Sequence, residues 1–275
     1  MTIFSSALIF ITGTIIGSFL SVIIYRIKTK QKGIIFSRSM CPHCKKKLKF
    51  RYLVPILSWV FLGGKCGYCS KKISTHYIAL EIICGTLFLA IFLNYNFLEQ
   101  VQNIVDFSLS SSSINYQTFE IFLFYIVEFS FLMGIFFYDL LHKEIPDSLS
   151  LPAIVIAIAG GLLLNTVSPL NMLIGGIILF GFFALQFLLS RGTWIGGGDL
   201  RLGALIGVLL GWQYGIIALV SAYILGALMS IVLIVRGKIT RKSTVAFGPY
   251  LVTGTLIAFL FGERILSFYL DTMII

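Results

Sequence analysis

The sequence predicts an all-α fold: a polytopic helical membrane bundle of about eight spans, with both termini extracytoplasmic and a small cytoplasmic zinc-binding loop. Hydrophobic residues make up 58% of the 275 residues and charged residues only 12%, about half the charged share of a soluble domain. The apolar runs are continuous and do not alternate with polar residues, as they would in a membrane β-barrel.

Eight apolar runs are the candidate spans. They cover residues 4–25, 77–94, 119–141, 149–164, 172–190, 198–212, 214–235 and 248–262. The sixth and eighth are shorter than the roughly 20 residues of a full crossing, so we expect them to be tilted, broken or packed inside the bundle. The first run has no basic segment before it and no small-residue cleavage site after it, which predicts a retained anchor.

The distribution of Lys and Arg predicts the orientation. Loop 26–76 carries 13 of them and no Asp or Glu, whereas loops 95–118 and 165–171 carry none. Cytoplasmic loops are the ones enriched in Lys and Arg, so loop 26–76 is predicted to be cytoplasmic. The net charge of +10 is therefore a topology signal that also favours contact with anionic lipid, and we expect no nucleic-acid partner.

The basic loop contains two Cys-x-x-Cys pairs, "CPHC" at 41–44 and "CGYC" at 66–69. Four thiolates at this spacing are typical of a structural Zn²⁺ site, whose closed coordination leaves no position for a reactive water. His43 could replace one thiolate, and two disulfides are the other alternative, although a cytoplasmic loop disfavours them. The predicted ligands are Cys41, Cys44, Cys66 and Cys69. The predicted divisions of the chain are an anchor (1–25), the zinc loop (26–76) and a transmembrane core (77–275).

Two aspartates at predicted cytoplasmic span ends are the candidate catalytic pair. Asp139 closes a run of large apolar residues, and Asp199 follows three consecutive glycines. Two carboxyl groups held close cannot both ionise cheaply, so one can act as base and the other as acid toward a shared water. The three glycines, Gly196 to Gly198, remove side chains around Asp199 and would let another backbone or an extended peptide approach it closely. A helix N-cap is the alternative role for Asp199, and equally for Asp147.

Two further acidic residues lie within spans. Glu81 and Glu128 either make polar contacts between helices or take part in function, since ionisable groups inside a span face the bundle interior. Asp139, Asp199 and Glu128 could also line the ion path of a transporter. Aspartates at span ends on only one side of the membrane are, however, poorly placed for a path that crosses it. A third alternative is a membrane scaffold whose zinc loop binds a partner.

Several stretches carry a family resemblance. They are "GSFLSVIIYR" (17–26), "SRSMCPHCKKKL", "PILSWVFLGGKCGYCSKKIS", "YDLLHKEIPDSLSLP", "GGGDLRLGALIGVLLG" and "FGPYLVTGTLIAF" (247–259). In this order they resemble the type IV prepilin peptidases, or type IV leader peptidases, which are Gly-x-Gly-Asp membrane aspartyl proteases. The resemblance covers nearly the whole chain.

The resemblance implies a multi-pass enzyme of the inner, or cytoplasmic, membrane that cuts the short basic leader of prepilins or pseudopilins after a glycine, at the cytoplasmic face. By motif position Asp139 and Asp199 are catalytic, with Asp147, Gly196 and Gly198 supporting them. Members with the cysteine loop often also methylate the new N-terminal residue with S-adenosylmethionine. The stretch "THYIALE" (75–81) departs from the family pattern, so a peptidase without methyltransferase activity is the alternative.

Overall fold

A computed structural model describes residues 2–31, 39–94, 116–238, 240 and 245–273. Within these ranges, seven helices are long and apolar enough to cross a membrane. The predicted all-α membrane class is therefore confirmed. The helices are α1 (Thr2–Lys28), a short α2 (Leu57–Phe61), α3 (Thr75–Asn94), α4 (Tyr116–His142), α5 (Asp147–Leu164), α6 (Pro169–Ser190), α7 (Gly197–Val235) and α8 (Gly248–Met273).

Helix α7 has 39 residues and contains two of the predicted spans. Gly211 interrupts it with φ 76° and ψ 177°. A Cβ on Gly215 would lie 3.7 Å from the Cα atom of Gly207, whereas eight residues of straight helix advance by about 12 Å. The chain therefore reverses at Gly211, and arms 197–210 and 212–235 run antiparallel, which agrees with the predicted break between the sixth and seventh spans.

Glycines and one asparagine stabilise this reversal. The Asn171 side chain on α6 accepts a hydrogen bond of 2.9 Å from the backbone N–H of Trp212, the first residue of the second arm. A Cβ on Gly207 would lie 2.1 Å from the carbonyl oxygen of Gly175. Helices α6 and α7 therefore pack backbone against backbone, as small residues permit in membranes.

The eighth span is longer than predicted. The sequence places its end at residue 262, but α8 continues to Met273. The prediction was wrong because Glu263 and Arg264 end the apolar run without ending the helix, and both residue types are good helix formers.

The described chain forms two compact units, Met1–Gly134 and Ile135–Ile275. In the first unit α1 packs closely on α3, since a Cβ on Gly13 would lie 2.6 Å from the carbonyl oxygen of Cys84. The second unit contains the end of α4 and helices α5 to α8. All three aspartates singled out above belong to this second unit, so one compact body positions them.

Candidate active site and candidate metal centre

Asp139 is held at the end of α4 by the beginning of α8. Its side chain is buried, and Oδ2 accepts a hydrogen bond of 2.9 Å from the backbone N–H of Gly248. The first N–H groups of a helix lack partners within the helix and carry partial positive charge, so they suit a carboxylate. Gly248 has room for the carboxyl group only because it lacks a side chain: a Cβ there would lie 2.6 Å from Oδ2.

Asp199 lies in the first turn of α7. Its Oδ2 accepts a hydrogen bond of 3.2 Å from the backbone N–H of Gly196, and Gly196, not Asp199, is the N-cap of the helix. The alternative prediction of Asp199 as the N-cap residue was therefore wrong. Asp199 also lies close enough to Asp139 for the two carboxyl groups to interact electrostatically. The structure thus brings together two residues that are 60 positions apart in the sequence.

The three glycines before Asp199 have different surroundings. Gly196 supplies the N–H bound by Asp199. A Cβ on Gly198 would lie 2.6 Å from Cβ of Ile145, so this glycine accommodates the turn between α4 and α5. A Cβ on Gly197 would meet nothing within 4 Å. The predicted approach of an extended backbone is therefore open at Gly197, whereas the chain itself occupies the space beside Gly198.

Asp147 is beside the pair but is not a third member of it. Pro146 is the N-cap of α5, and Asp147 is the first helical residue without a capping side-chain bond, so the N-cap alternative was wrong here too. Its exposed carboxylate forms an ion pair with Arg201, two residues after Asp199. Asp147 therefore ties the start of α5 to the start of α7.

Two residues at the site were not singled out from the sequence. Gly248, described above, is one, and the family-like stretch "FGPYLVTGTLIAF" was the signal that could have found it. Tyr223 interacts electrostatically with Asp199, and its hydroxyl hydrogen-bonds the Gln186 side chain at 3.1 Å. The reversal at Gly211 explains the position of Tyr223, because residues 199 and 223 are equally far from that glycine and lie level on the two arms.

Both intramembrane glutamates belong to the first compact unit. Glu81 is buried and accepts a hydrogen bond of 2.7 Å from the backbone N–H of Ile56, with Ser18 as a second partner. It therefore makes a polar contact that links α1, α3 and the zinc loop, the first of its two predicted alternatives. Glu128 is fully buried, and neither carboxyl oxygen has a hydrogen-bond partner among the described residues.

The four cysteines meet at one point in the first unit. Their sulfur atoms all lie within 4.8 Å of one another, and the Cys41 and Cys69 sulfurs are 4.0 Å apart. A tetrahedral Zn²⁺ with Zn–S bonds of about 2.3 Å needs sulfurs roughly 3.8 Å apart, so the cluster fits this ion after a small contraction. His43 is not part of the cluster.

The two halves of this cluster repeat the same local structure at an interval of 25 residues. Isolated β-bridges join Met40 to Lys47 and Lys65 to Lys72. Burial raises the pKa of the Cys41 thiol to about 11. At Cys66 burial acts in the same direction, but hydrogen bonds, first from the backbone N–H groups of Tyr68 and Cys69, outweigh it and lower the pKa to about 7. Backbone N–H groups of both turns donate to the cysteine sulfurs and favour the thiolate form that binds metal.

The chain is similar to known proteins along nearly its whole length. The profile of the bacterial peptidase A24 N-terminal domain matches residues 11–95, and that of the type IV leader peptidase family matches residues 126–231. A prepilin leader peptidase/N-methyltransferase of Bacillus subtilis (strain 168) is 30% identical over 96% of this chain and 97% of its own length. The protein of the same name from Legionella pneumophila is 29% identical over 93% and 91%. No solved structure matches the chain significantly.

Proposed function

The chain belongs to the type IV leader peptidase family, and from that premise we propose that it is a membrane aspartic endopeptidase that removes the leader of prepilins or pseudopilins. The observation that carries the proposal is that Asp139 and Asp199 lie within electrostatic range of each other in one compact unit, each bound by a backbone N–H. We further propose that cleavage follows a glycine, at the cytoplasmic face of the inner membrane.

The proposed chemistry needs one water and one proton between the two carboxyl groups. The ionised member removes a proton from the water, while the protonated member donates a hydrogen bond to the scissile carbonyl oxygen. The N–H groups of Gly248 and Gly196 orient one oxygen of each carboxyl group, so the other oxygen of each is available to the water and the substrate. The titration belongs to the pair, so neither residue is assigned the shared proton.

The second proposed activity is N-methylation of the new N-terminal residue, which rests on the names of the relatives. S-adenosylmethionine, the donor implied by the resemblance, carries a sulfonium charge. Among the described residues, a cavity of about 220 Å³ between α7 and the start of α8 is lined by aromatic and small side chains. Aromatic faces attract a sulfonium cation, but the cavity is smaller than the roughly 300–1,000 Å³ of a typical ligand pocket, so it does not accommodate the whole donor.

The proposed role of the zinc cluster is structural. The four cysteines would hold Zn²⁺ in a closed site, where the ion crosslinks the two turns of a loop that buries few of its apolar residues. In the described range 39–74 the large apolar side chains are all at least partly exposed. A transporter has less support than a peptidase, because Asp139 and Asp199 meet at one end of their helices and Glu128 is about 16 Å further along α4.

The test is co-expression with a prepilin, followed by mass spectrometry of the mature N-terminus. We expect Asp139→Asn and Asp199→Asn each to lower the rate of cleavage by about 10²- to 10⁴-fold, since a carboxamide is neither base nor acid. The same spectra report methylation as the added mass of one methyl group. The thermal midpoint serves as the folding control for each variant, since the aspartates and the zinc cluster belong to different compact units. Processing at the wild-type rate in either variant would exclude the proposed pair.

A further inference from the structure

Helix α2 of the zinc loop exposes an apolar face that no described residue covers. Leu57, Val60 and Phe61 are 53%, 56% and 83% exposed, and their spacing of three and four residues places them on one side of the helix. Phe50, just before α2, is 84% exposed. Leu57, Val60 and Phe61 form what we call the α2 face. Large apolar side chains clustered in this way mark an interaction site.

The depth of α2 is fixed by its bond to a membrane-spanning helix. The backbone N–H of Ile56, the residue before α2, donates to Glu81 of α3 at 2.7 Å. Glu81 lies six residues after the start of α3 at Thr75, which is about 9 Å along the helix axis. Since α3 has only 20 residues, about one crossing, α2 begins level with the first third of this crossing, close to the bilayer boundary on the side of the zinc loop.

The loop that carries the α2 face is strongly basic, and we call the exposed Lys and Arg side chains of residues 39–74 the cationic rim. Residues 39–74 contain eight Lys and Arg residues and no Asp or Glu, and all eight cationic side chains are exposed. Lys45 also hydrogen-bonds the Tyr25 hydroxyl at the end of α1, so the first cysteine turn is held close to the point where α1 leaves the membrane. An apolar face at the bilayer boundary with a cationic rim is the composition of a segment that lies in the interface of an anionic membrane.

We propose that the α2 face inserts into the bilayer leaflet on the side of the zinc loop, with the cationic rim bound to anionic phospholipid headgroups. A protein partner would have to approach at the depth where lipid already surrounds α3, whereas phospholipid supplies both the apolar and the anionic component there. The zinc loop is thereby held flat on the membrane. This inference is independent of the proposed peptidase activity, because it concerns only the first compact unit.

The experiment is site-specific photo-crosslinking of the full-length protein in nanodiscs. The photoreactive residue p-benzoylphenylalanine replaces Phe61, and in a matched control it replaces Ser70, which is exposed on the second cysteine turn. The nanodiscs contain phosphatidylcholine alone or mixed with phosphatidylglycerol. We expect phospholipid adducts several-fold more abundant at position 61 than at 70, and an increase at 61 when phosphatidylglycerol is present.

A charge-reduced variant separates the apolar and the electrostatic parts of the proposal. Lys49→Gln, Lys71→Gln and Lys72→Gln together should abolish the increase caused by phosphatidylglycerol, because each cation near an anionic surface contributes about fivefold to its affinity. Unchanged zinc content shows that each variant is folded. Adducts at position 61 to protein, including a second copy of the chain, would overturn the proposal, as would equal lipid adducts at 61 and 70. A yield independent of phosphatidylglycerol would overturn the anionic component.

Discussion

Gly248→Ala tests whether the position of the Asp139 carboxyl group governs catalysis. The added Cβ would lie 2.6 Å from Oδ2 of Asp139, about 0.8 Å inside the 3.4 Å at which ordinary contact begins. Because α8 begins at Gly248 and Asp139 is buried, the carboxyl group has to give way. A displacement of about 1 Å in a catalytic group costs on the order of 10²-fold in rate, so we expect a loss of this size in kcat.

The assay for Gly248→Ala is the rate of prepilin cleavage by purified protein, with zinc content and thermal midpoint measured on the same samples. Gly181→Ala on α6 is the matched control, since a Cβ there meets nothing within 4 Å, and it should keep the wild-type kcat. The reasoning is refuted if Gly248→Ala keeps wild-type kcat with its zinc content intact. A loss confined to KM would instead place Gly248 in substrate binding.

Three further predictions concern the surroundings of the aspartates and the metal. Gly198→Ala should destabilise the protein by about 1–3 kcal/mol through overpacking against the preceding turn. Gly197→Ala, with open space around its Cβ, should leave the thermal midpoint unchanged. Equal thermal midpoints for the two variants would contradict this prediction. Asp147→Asn should slow cleavage by at most about fivefold, because its ion pair with Arg201 is largely exposed and exposed ion pairs contribute little. A loss of rate as large as that of the catalytic variants would contradict this supporting role for Asp147. Cys66→Ser should remove most of the bound zinc measured by elemental analysis, and full occupancy would exclude the four-thiolate site.

The fold class and the paired cysteines could be predicted from the sequence because each depends on local composition or spacing. A run of apolar residues indicates a span wherever it occurs, and a Cys-x-x-Cys turn presents two thiolates without help from distant residues. The reversal near Gly211 was predictable for the same reason, since glycines interrupt the run there. The end of α8 was not predictable, because Glu263 and Arg264 end the apolar run but do not end the helix.

The geometry around Asp139 could not be predicted, because it depends on a contact between residues 109 positions apart. A glycine is common at the start of a span, and nothing in the sequence indicates that packing will place a carboxyl group against this one. Tyr223 is a similar case: its position level with Asp199 follows from the antiparallel arms of α7, and a straight helix would have put the two residues about 36 Å apart.

The glycines before Asp199 show how one sequence pattern can combine separate physical requirements. Gly196 presents an N–H to the carboxylate, a bond that its backbone makes without using a side chain. Gly198 is needed for internal packing, because Ile145 occupies the space that a Cβ would take. A Cβ at Gly197 would meet no described atom within 4 Å, and one at Gly196 would make only ordinary contacts of 3.6 Å or more, so the proposed approach of a substrate backbone can use both positions. The three glycines thus combine a backbone donor, open space and tight packing, and packing with the described residues requires a glycine only at position 198.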